Sequence, residues 1–251
     1  MAKEFEIKIT TDDPELHAKI ADIYKEYCDE KNESAENLDY HTTMNTDVAE
    51  EKVTKKEYKV GDKVELEICG ETITAYVAGV DFEPDIKQHH YTMIVNFGDS
   101  KMGLTALHGY AGAKDMQNFL DGKAEDLKKA VSKLGYELLE RDVFLSSDIE
   151  EVDADDRWFK VSKYIRTKKY LMLPSEVEVY GEKHYSDEYE IHDTRYPIFE
   201  DKDINTLLGR AYVWLRGVSS ATGFCYSNLQ GYPGGGSAGA SLAAGALFII
   251  G

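Results

Sequence analysis

The chain has 251 residues, of which 42% are hydrophobic and 30% are charged. This composition is too apolar for a disordered protein, and the length predicts one or two folding units. The formal net charge of -18, from 47 acidic and 29 basic side chains, argues against nucleic acid and anionic membrane surfaces as partners, because both repel an acidic protein.

No targeting or membrane-spanning segment is predicted. The first ten residues alternate Phe5, Ile7 and Ile9 with charged residues, as a strand does, and lack the pattern of a signal peptide. The longest apolar run, residues 238–251, is interrupted by glycine and serine and is shorter than the ~18 to 20 residues that a membrane span needs. We therefore expect synthesis in the cytoplasm without a signal peptide, and no membrane insertion.

Residues 1–55 are predicted to form a small strand-helix arm and a linker. After the opening strand, Asp12 or Asp13 and then Pro14 are typical of a helix start. Apolar residues then recur at helical spacing as far as about Asn32, namely Leu16, Ile20, Ile23, Tyr24 and Tyr27. The polar stretch that follows predicts a boundary near residue 55, and the main domain is expected to occupy residues 56–251.

The main domain is predicted to begin with an antiparallel sheet. Residues 59–80 alternate apolar and polar side chains on both sides of Cys69-Gly70-Glu71, which predicts a hairpin, and residues 91–97 predict a third strand. Helical spacing returns in residues 115–139, interrupted around Asp121-Gly122 and ended at Gly135. We expect two helices that pack on the sheet.

Two segments have the spacing of a capping box, in which a serine precedes a glutamate by three residues. These pairs are Ser147 with Glu150, and Ser175 with Glu178. Each is predicted to start a short helix after an apolar strand end, and Gly181 is predicted to end the second helix.

The carboxyl-terminal part is predicted to be a β region rich in loops. From Tyr196 onward the apolar residues come in short pieces, and residues 231–237 hold four glycines and a proline, which is not expected to form helix or regular strand. Tyrosine is frequent in the last third of the chain and fits either recognition or core packing. The tyrosines are Tyr170, Tyr180, Tyr185, Tyr189, Tyr196, Tyr212, Tyr226 and Tyr232.

No residue pattern predicts catalysis, a metal or a cofactor. His89 and His90 lie near Asp81, Glu83 and Asp85, but adjacent residues of an extended chain point to opposite faces and cannot easily share one ion. His184 and His192 lack metal-site spacing. The cysteines are far apart and are expected to be reduced, with Cys225 a small buried side chain: Cys28, Cys69 and Cys225.

Several segments together resemble a domain family of unknown function that is common in gut anaerobes and their phages. The matching text is L-P-S-E-x-E-x-x-G at residues 173–181, Y-P-I-F at residues 196–199 and W-L-R at residues 214–216. Residues 107–121 and 142–146 are similar to further segments of that family. The chain departs from it where Ala244-Gly245-Ala246 replace the usual arginine and proline before the last strand, and where Gly217 follows Arg216.

The resemblance implies an α+β fold of the C-type-lectin-like type, related to the formylglycine-generating enzymes and to phage tropism determinants. Short antiparallel strands, two helices and long ordered loops are implied. Calcium-dependent sugar binding is not implied, because no E-P-N or W-N-D triplet occurs, and the paired cysteines of copper-dependent oxidation are missing.

Within that fold, Trp214 and Leu215 would alternate across a strand, and Arg216, on the face of Trp214, would pair with Glu176 or Glu178. The residues expected to form the scaffold are Ser175, Glu178, Trp214 and Arg216. The ligand-binding loop face is expected to hold Tyr226, Asn228 and Tyr232.

The function that fits best is a non-enzymatic structural or adhesion protein of a phage or prophage, virion-associated and able to form homo-oligomers. Its ligand would be a protein or a glycan. Two alternatives stay open: a bacterial glycan- or protein-binding module, and a diverged enzyme of the formylglycine-generating architecture. The enzyme would need a deep pocket with convergent titratable groups.

Overall fold

The structure is a computed structural model that describes residues 55–68, 70–152, 158–186 and 194–251, with the side chains of 149–152 and 158–162 left aside. These residues belong to a compact unit, Lys52–Gly251. The predicted strand-helix arm lies outside the described residues, apart from Lys55.

The described chain is a mixed α+β structure made mostly of strands, as predicted. The strands are β1 (Lys63–Ile68), β2 (Glu71–Val80), β3 (Tyr91–Lys101), β4 (Leu138–Leu139), β5 (Arg141–Val152), β6 (Trp158–Lys169), β7 (Val213–Ser220), β8 (Gly223–Ser227), β9 (Pro233–Ser237) and β10 (Ser241–Ile250). The helices are α1 (Lys114–Asp121), α2 (Ala124–Lys133), α3 (Glu176–Tyr180), α4 (Ile198–Asp201) and α5 (Ile204–Leu207), and a 3-10 turn covers Tyr110–Gly112. Several strands run to ten residues or more and are longer than the short strands that the resemblance implies.

An eight-stranded sheet forms the body of the domain, with the order β1-β2-β3-β10-β7-β8-β9 and with β4 against β10. β10 is its central strand: it runs antiparallel to β3 along most of its length and meets β7 and β4 on its other side. β5 and β6 form a separate antiparallel hairpin. The two ends of the sheet are therefore β1 and β9.

The central strand is buried on both faces, which explains its apolar sequence SLAAGALFII. On one face Phe248 and Ile250 join the core under α1 and α2. On the other face Leu247 packs with residues of α4 and α5, including Phe199 and Ile204. The domain therefore has three layers, with the sheet between two sets of helices.

The opening hairpin and the helices are confirmed. β1 and β2 pair in register from Lys63 opposite Tyr76 to Ile68 opposite Glu71, and β3 continues the antiparallel order. The two predicted helices are α1 and α2, with the break after Asp121. Their buried residues are Met116, Leu120, Leu127, Ala130 and Val131.

The capping box predicted at Ser175 and Glu178 is confirmed, and the prediction of one at Ser147 and Glu150 is wrong. Ser175 accepts a hydrogen bond from the backbone N–H of Glu178 at 3.0 Å, while the Glu178 carboxylate accepts one from the N–H of Ser175 at 2.9 Å. Helix α3 then ends at Gly181, whose φ of 84° is left-handed. Ser147 instead lies within β5, where its hydroxyl donates to the carbonyl of Lys163 at 3.2 Å. Sheet pairing with β6 outweighs the local capping signal there.

The carboxyl-terminal part contains more regular structure than predicted. The glycine run forms β9, which pairs with β8 from Gly223 opposite Ser237 to Ser227 opposite Pro233. The prediction of a loop there was wrong, because pairing with β8 supplies the backbone hydrogen bonds that a glycine segment cannot obtain from side-chain packing. The apolar pieces at Ile198-Phe199 and Leu207 lie in or at the end of helical turns α4 and α5.

No helix within the described residues is long and apolar enough to cross a membrane.

Candidate binding face

The W-L-R segment lies in β7 and is entirely buried. Trp214 belongs to the core under α1 and α2, and Leu215 belongs to the opposite core, so these two side chains alternate across the sheet as expected. The Trp214 indole N–H donates to the carbonyl of Ser100 at 3.0 Å, which fixes the ring between β7 and β3.

Arg216 forms the ion pair expected with the capped helix, and its partner is Glu178. Its Nη1 lies 2.7 Å from Oε2 of Glu178 and donates to the carbonyl of Leu173 at 2.7 Å. Glu178 therefore completes the capping box and neutralises Arg216 at the same time. Both side chains are buried, so this contact holds β7 against the start of α3.

A second arginine extends the pair into a network. Arg141, at the start of β5, lies 2.6 Å from Oε1 of Glu178 and 3.1 Å from Oε1 of Glu83. It also donates to the hydroxyl of Tyr196 at 2.7 Å. The two arginines and two glutamates balance in charge, which is how buried ionic groups become tolerable.

The pKa values reflect this balance. Burial alone would raise the pKa of Glu178, but the charges of Arg141 and Arg216 outweigh it and lower the pKa to about 2. Burial would lower the pKa of Arg141, and the facing Glu178 raises it well above its ordinary value. Burial raises the pKa of the Tyr196 phenol. Glu178, Arg141 and Tyr196 therefore each keep one protonation state near neutral pH.

Glu176, the other candidate partner for Arg216, binds the loop that follows α3 instead. Its carboxylate accepts hydrogen bonds from the backbone N–H groups of His184, Tyr185 and Ser186 at 3.0, 3.0 and 2.9 Å. The hydroxyl of Ser186 donates to it at 2.8 Å. Glu176 thus holds the loop after α3 in place, while Glu178 takes the arginines.

Arg141 and Glu83 were not identified as scaffold residues from the sequence. The sequence carries no clear signal for Arg141, because Val143, Phe144 and Leu145 after it are all apolar; only the structure shows that positions 141, 143 and 145 are buried while 142 and 144 are half-buried. A charged residue on the buried face of a strand needs a charged partner. The partner itself, on the β2–β3 connection, follows only from the fold.

The tyrosines at the end of the sheet form an aromatic face. Tyr226, in β8, lies opposite Trp214 in the strand register. The Tyr226 ring centroid is 6.5 Å from that of Trp214 and 5.4 Å from that of Tyr212. These distances are typical of edge-to-face aromatic packing.

The glycines of β9 make room for Tyr226. A Cβ at Gly234 would lie 2.8 Å from the Tyr226 ring, and a Cβ at Gly236 would lie 3.0 Å from it. The ring therefore lies directly on the backbone of β9, which is possible only because these positions have no side chain. The glycine run acts as a support for an aromatic ring.

Asn228 and Tyr232 close the β8–β9 hairpin next to this ring. The backbone N–H of Asn228 donates to the carbonyl of Tyr232 at 2.9 Å, so the two residues pair on the side of the sheet that holds Tyr226. Tyr232 is 67% exposed. The side-chain oxygen of Asn228 accepts from the N–H groups of Gln230 and Tyr232 at 2.9 and 3.0 Å, and so shapes the loop.

Most of this aromatic face, defined as Tyr212, Tyr226, Tyr232 and the side chain of Asn228, comes from an uncharged part of the sequence. Residues 217–251 contain no aspartate, glutamate, lysine, arginine or histidine, although 30% of the whole chain is charged. The three tyrosines are exposed or half-buried. The face thus combines apolar rings with hydrogen-bonding tips, and charged residues lie at its margin, where Arg210 precedes Tyr212 by two residues and Asp203 lies against Gly231.

A cleft of about 630 Å³ lies near the other end of β10, among Lys55, Gln88, His89, Tyr136, Glu137 and Gly251. There His89 Nδ1 lies 2.8 Å from the Asp81 carboxylate, and its Nε2 lies 2.9 Å from the Tyr91 hydroxyl. Tyr91 is buried, and its hydroxyl also accepts the backbone N–H of Tyr58 at 3.2 Å. The array therefore fastens the segment before β1 to the sheet.

The two histidines both approach Asp81, contrary to the expectation that they point to opposite faces: Nδ1 of His90 lies 3.6 Å from Oδ1 of Asp81, and Nδ1 of His89 lies 2.8 Å from Oδ2 of the same carboxylate. His90 is buried, its Nε2 accepts the backbone N–H of Glu83 at 3.0 Å, and its Nδ1 donates to the carbonyl of Gln88 at 2.8 Å. Within the described ranges, no group of three or more histidine, cysteine, aspartate or glutamate side chains could hold a metal ion. His192 lies outside those ranges, and Cys225 is buried.

Comparisons of the chain with family models, with curated proteins and with solved structures give no match.

Proposed function

We propose that this protein is a non-enzymatic binding module that presents the aromatic face to a glycan or protein ligand, as a structural or adhesion protein of a phage or prophage particle. The observation that carries the proposal is the contact between the rings of Tyr212 and Tyr226 at the β7–β9 end of the sheet, with the exposed Tyr232 in the adjoining β8–β9 loop. The resemblance of residues 173–216 to the phage and gut-anaerobe family supports the proposal that the protein belongs to a phage or prophage particle. A C-type-lectin-like scaffold is part of the same proposal.

The chemistry of the face supports binding. Tyrosine offers a large contact area, loses little side-chain entropy when it is fixed, and has a polar hydroxyl at its tip, which is why recognition surfaces are rich in it. The Tyr226 ring is already fixed by Trp214 and by the β9 backbone, so a ligand would pay little further ordering cost for it.

The buried network supports the same function. Arg216, Glu178 and Arg141 hold β7, α3 and β5 together, and β7 also carries Trp214, on which Tyr226 packs. These groups are buried and paired in charge, which suits a rigid support. A face on a rigid support binds without an induced change of its backbone.

A glycan array probed with the full chain tests the proposal, followed by titration of any bound glycan against variants. We expect Tyr226→Ala and Tyr232→Ala each to weaken binding by at least about tenfold, the usual effect of removing a central aromatic contact. Tyr185→Ala is the matched control, because Tyr185 is also exposed but lies in the loop held by Glu176. Binding that survives both changes on the face would place the ligand elsewhere.

The association of the protein with a phage particle is tested separately. We expect the gene to be flanked by phage structural genes, and purified particles to contain the protein. A gene far from any such genes, together with a protein missing from purified particles, would contradict this part and favour a cellular binding module.

A further inference from the structure

The outer strand β9 is an unusual sheet edge. Among the strands of the described residues it pairs with β8 only, and its residues Gly235 and Ser237 are exposed. The opposite edge, β1, carries the exposed charged residues Lys63, Glu65 and Glu67, which are typical of an edge protected against pairing with another chain. β9 has no charged residue, and Pro233 stands only at its first position.

The hydrogen-bond pattern of β8 and β9 shows which backbone groups face outward. The N–H of Asn228 donates to the carbonyl of Tyr232 at 2.9 Å, and at the other end the N–H of Ala238 donates to the carbonyl of Thr222 at 2.8 Å. Since bonded and non-bonded pairs alternate in an antiparallel ladder, residues 234 and 236 bond to β8. Residues 233, 235 and 237 therefore direct their backbone groups away from it.

The outward backbone groups of β9 can form hydrogen bonds with the same groups in a second copy of the chain. In an antiparallel pair of two β9 strands centred on Gly235, each Gly235 exchanges both backbone hydrogen bonds with its copy, and each Ser237 N–H meets the carbonyl of Pro233 in the other copy. Pro233 has no N–H, and the Ser237 carbonyl that would face it already accepts the N–H of Ala240 at 2.8 Å. Every outward group of β9 that remains free thus finds a partner.

The lack of charged residues in the sequence around β9 allows two β9 strands to approach each other. Two molecules with a net charge of -18 repel each other, yet β8, β9 and their connections lie within residues 217–251, which carry no charge. Depletion of charge with exposed aromatic residues nearby is the composition of an interface core. Tyr226 and Tyr232 stand next to the edge on one face.

We propose that β9 is a homodimerisation edge, at which a second copy of this chain pairs antiparallel about a twofold axis through Gly235 and joins the two eight-stranded sheets into one. The axis is perpendicular to the sheet, so the aromatic faces of both copies lie on the same side. The dimer thus presents two copies of the face to one surface, which raises the avidity for a repeated ligand. The pairing does not depend on the proposed ligand.

Sedimentation velocity of the full chain over a wide range of concentration tests the pairing. We expect a reversible dimer for the wild type and for Ser237→Ala, which keeps the backbone N–H. Ser237→Pro removes that donor from both copies and should weaken the dimer roughly 10- to 100-fold, as the loss of two backbone hydrogen bonds implies. A wild type that stays monomeric, or a Ser237→Pro dimer as tight as that of Ser237→Ala, would overturn the proposal.

A charge variant keeps the test valid should proline disturb the fold. Ser237→Glu adds a negative charge at the edge, and Ser132→Glu adds the same charge at an exposed position of α2 far from it. Only Ser237→Glu should weaken the dimer, with unchanged circular dichroism. Equal dimerisation of the two glutamate variants, or assembly beyond a dimer, would overturn the pairing, whereas loss of glycan binding by an intact dimer would count only against the aromatic face.

Discussion

Arg216 and Glu178 form a fully buried ion pair, with Nη1 and Oε2 2.7 Å apart, and Glu178 is at the same time the glutamate of a capping box. The Glu178 carboxylate thus caps the start of α3 and neutralises the charge of Arg216 in β7. Because Arg141 binds its other oxygen at 2.6 Å, the removal of any member leaves buried charges unbalanced.

We expect Arg216→Met to lower the free energy of unfolding by about 3–5 kcal/mol, because two buried carboxylates would then share one arginine. Arg166→Met is the matched control: Arg166 contacts Asp142 at the same 2.7 Å, but its side chain is 57% exposed. An exposed pair contributes about 1 kcal/mol or less. Urea unfolding of both variants measures the difference, and equal losses would show that the buried network is not a stabilising unit.

The pH dependence follows from Glu178. Its pKa is lowered in the folded protein from 4.5 to about 2, where the charges of Arg141 and Arg216 overcome burial. A lowered folded pKa adds stability that is fully present above the unfolded value and is lost as the pH falls from 4.5 toward 2. We expect the urea midpoint to fall steeply in that window.

Glu178→Gln is the variant that isolates this effect. It should unfold at lower urea concentration at neutral pH and should show a shallower loss of stability on acidification than the wild type. An unchanged acid slope in Glu178→Gln would assign the acid sensitivity to other carboxylates.

The sequence predicted the parts of the fold in which local pattern and tertiary structure agree. Alternation predicts β1 and β2, the period of apolar residues predicts α1 and α2, and Ser175 with Glu178 marks the start of α3. The same local rule fails at Ser147, because β6 pairs with β5 there.

The parts that the sequence could not predict depend on distant neighbours. The glycines of β9 read as a loop because only the Tyr226 ring and the β8 backbone explain them. Arg141 and Glu83 meet across 58 residues of chain, and no local pattern records such a contact. The aromatic face was expected near Tyr226 and Tyr232, while the contribution of Tyr212 is seen only from the contact between its ring and that of Tyr226.

Gly245 is predicted to be intolerant of any side chain. A Cβ there would lie 2.3 Å from Cδ1 of Leu208 and 2.8 Å from Cγ1 of Val213, so overpacking in this buried strand should cost about 1–3 kcal/mol in Gly245→Ala. Gly239→Ala is the control, since the nearest atom to its Cβ is 3.9 Å away. Thermal unfolding compares the two variants, and a Gly245→Ala protein as stable as Gly239→Ala would mean that β10 lies further from Leu208.

The backbone of β9 supports the Tyr226 ring of the aromatic face. In Gly234→Ala the new Cβ would meet the Tyr226 ring at 2.8 Å, so the ring must leave the β9 backbone while the strand itself can keep its conformation. Because Tyr226 also packs on Trp214 with ring centroids 6.5 Å apart, we expect the near-ultraviolet circular dichroism to change while the far-ultraviolet spectrum stays the same. Gly235→Ala is the matched control in the same strand, because its Cβ meets the small side chain of Ser219 instead. If both variants gave the wild-type near-ultraviolet spectrum, Tyr226 would not rest on β9, and the rigid aromatic face would lose its structural basis.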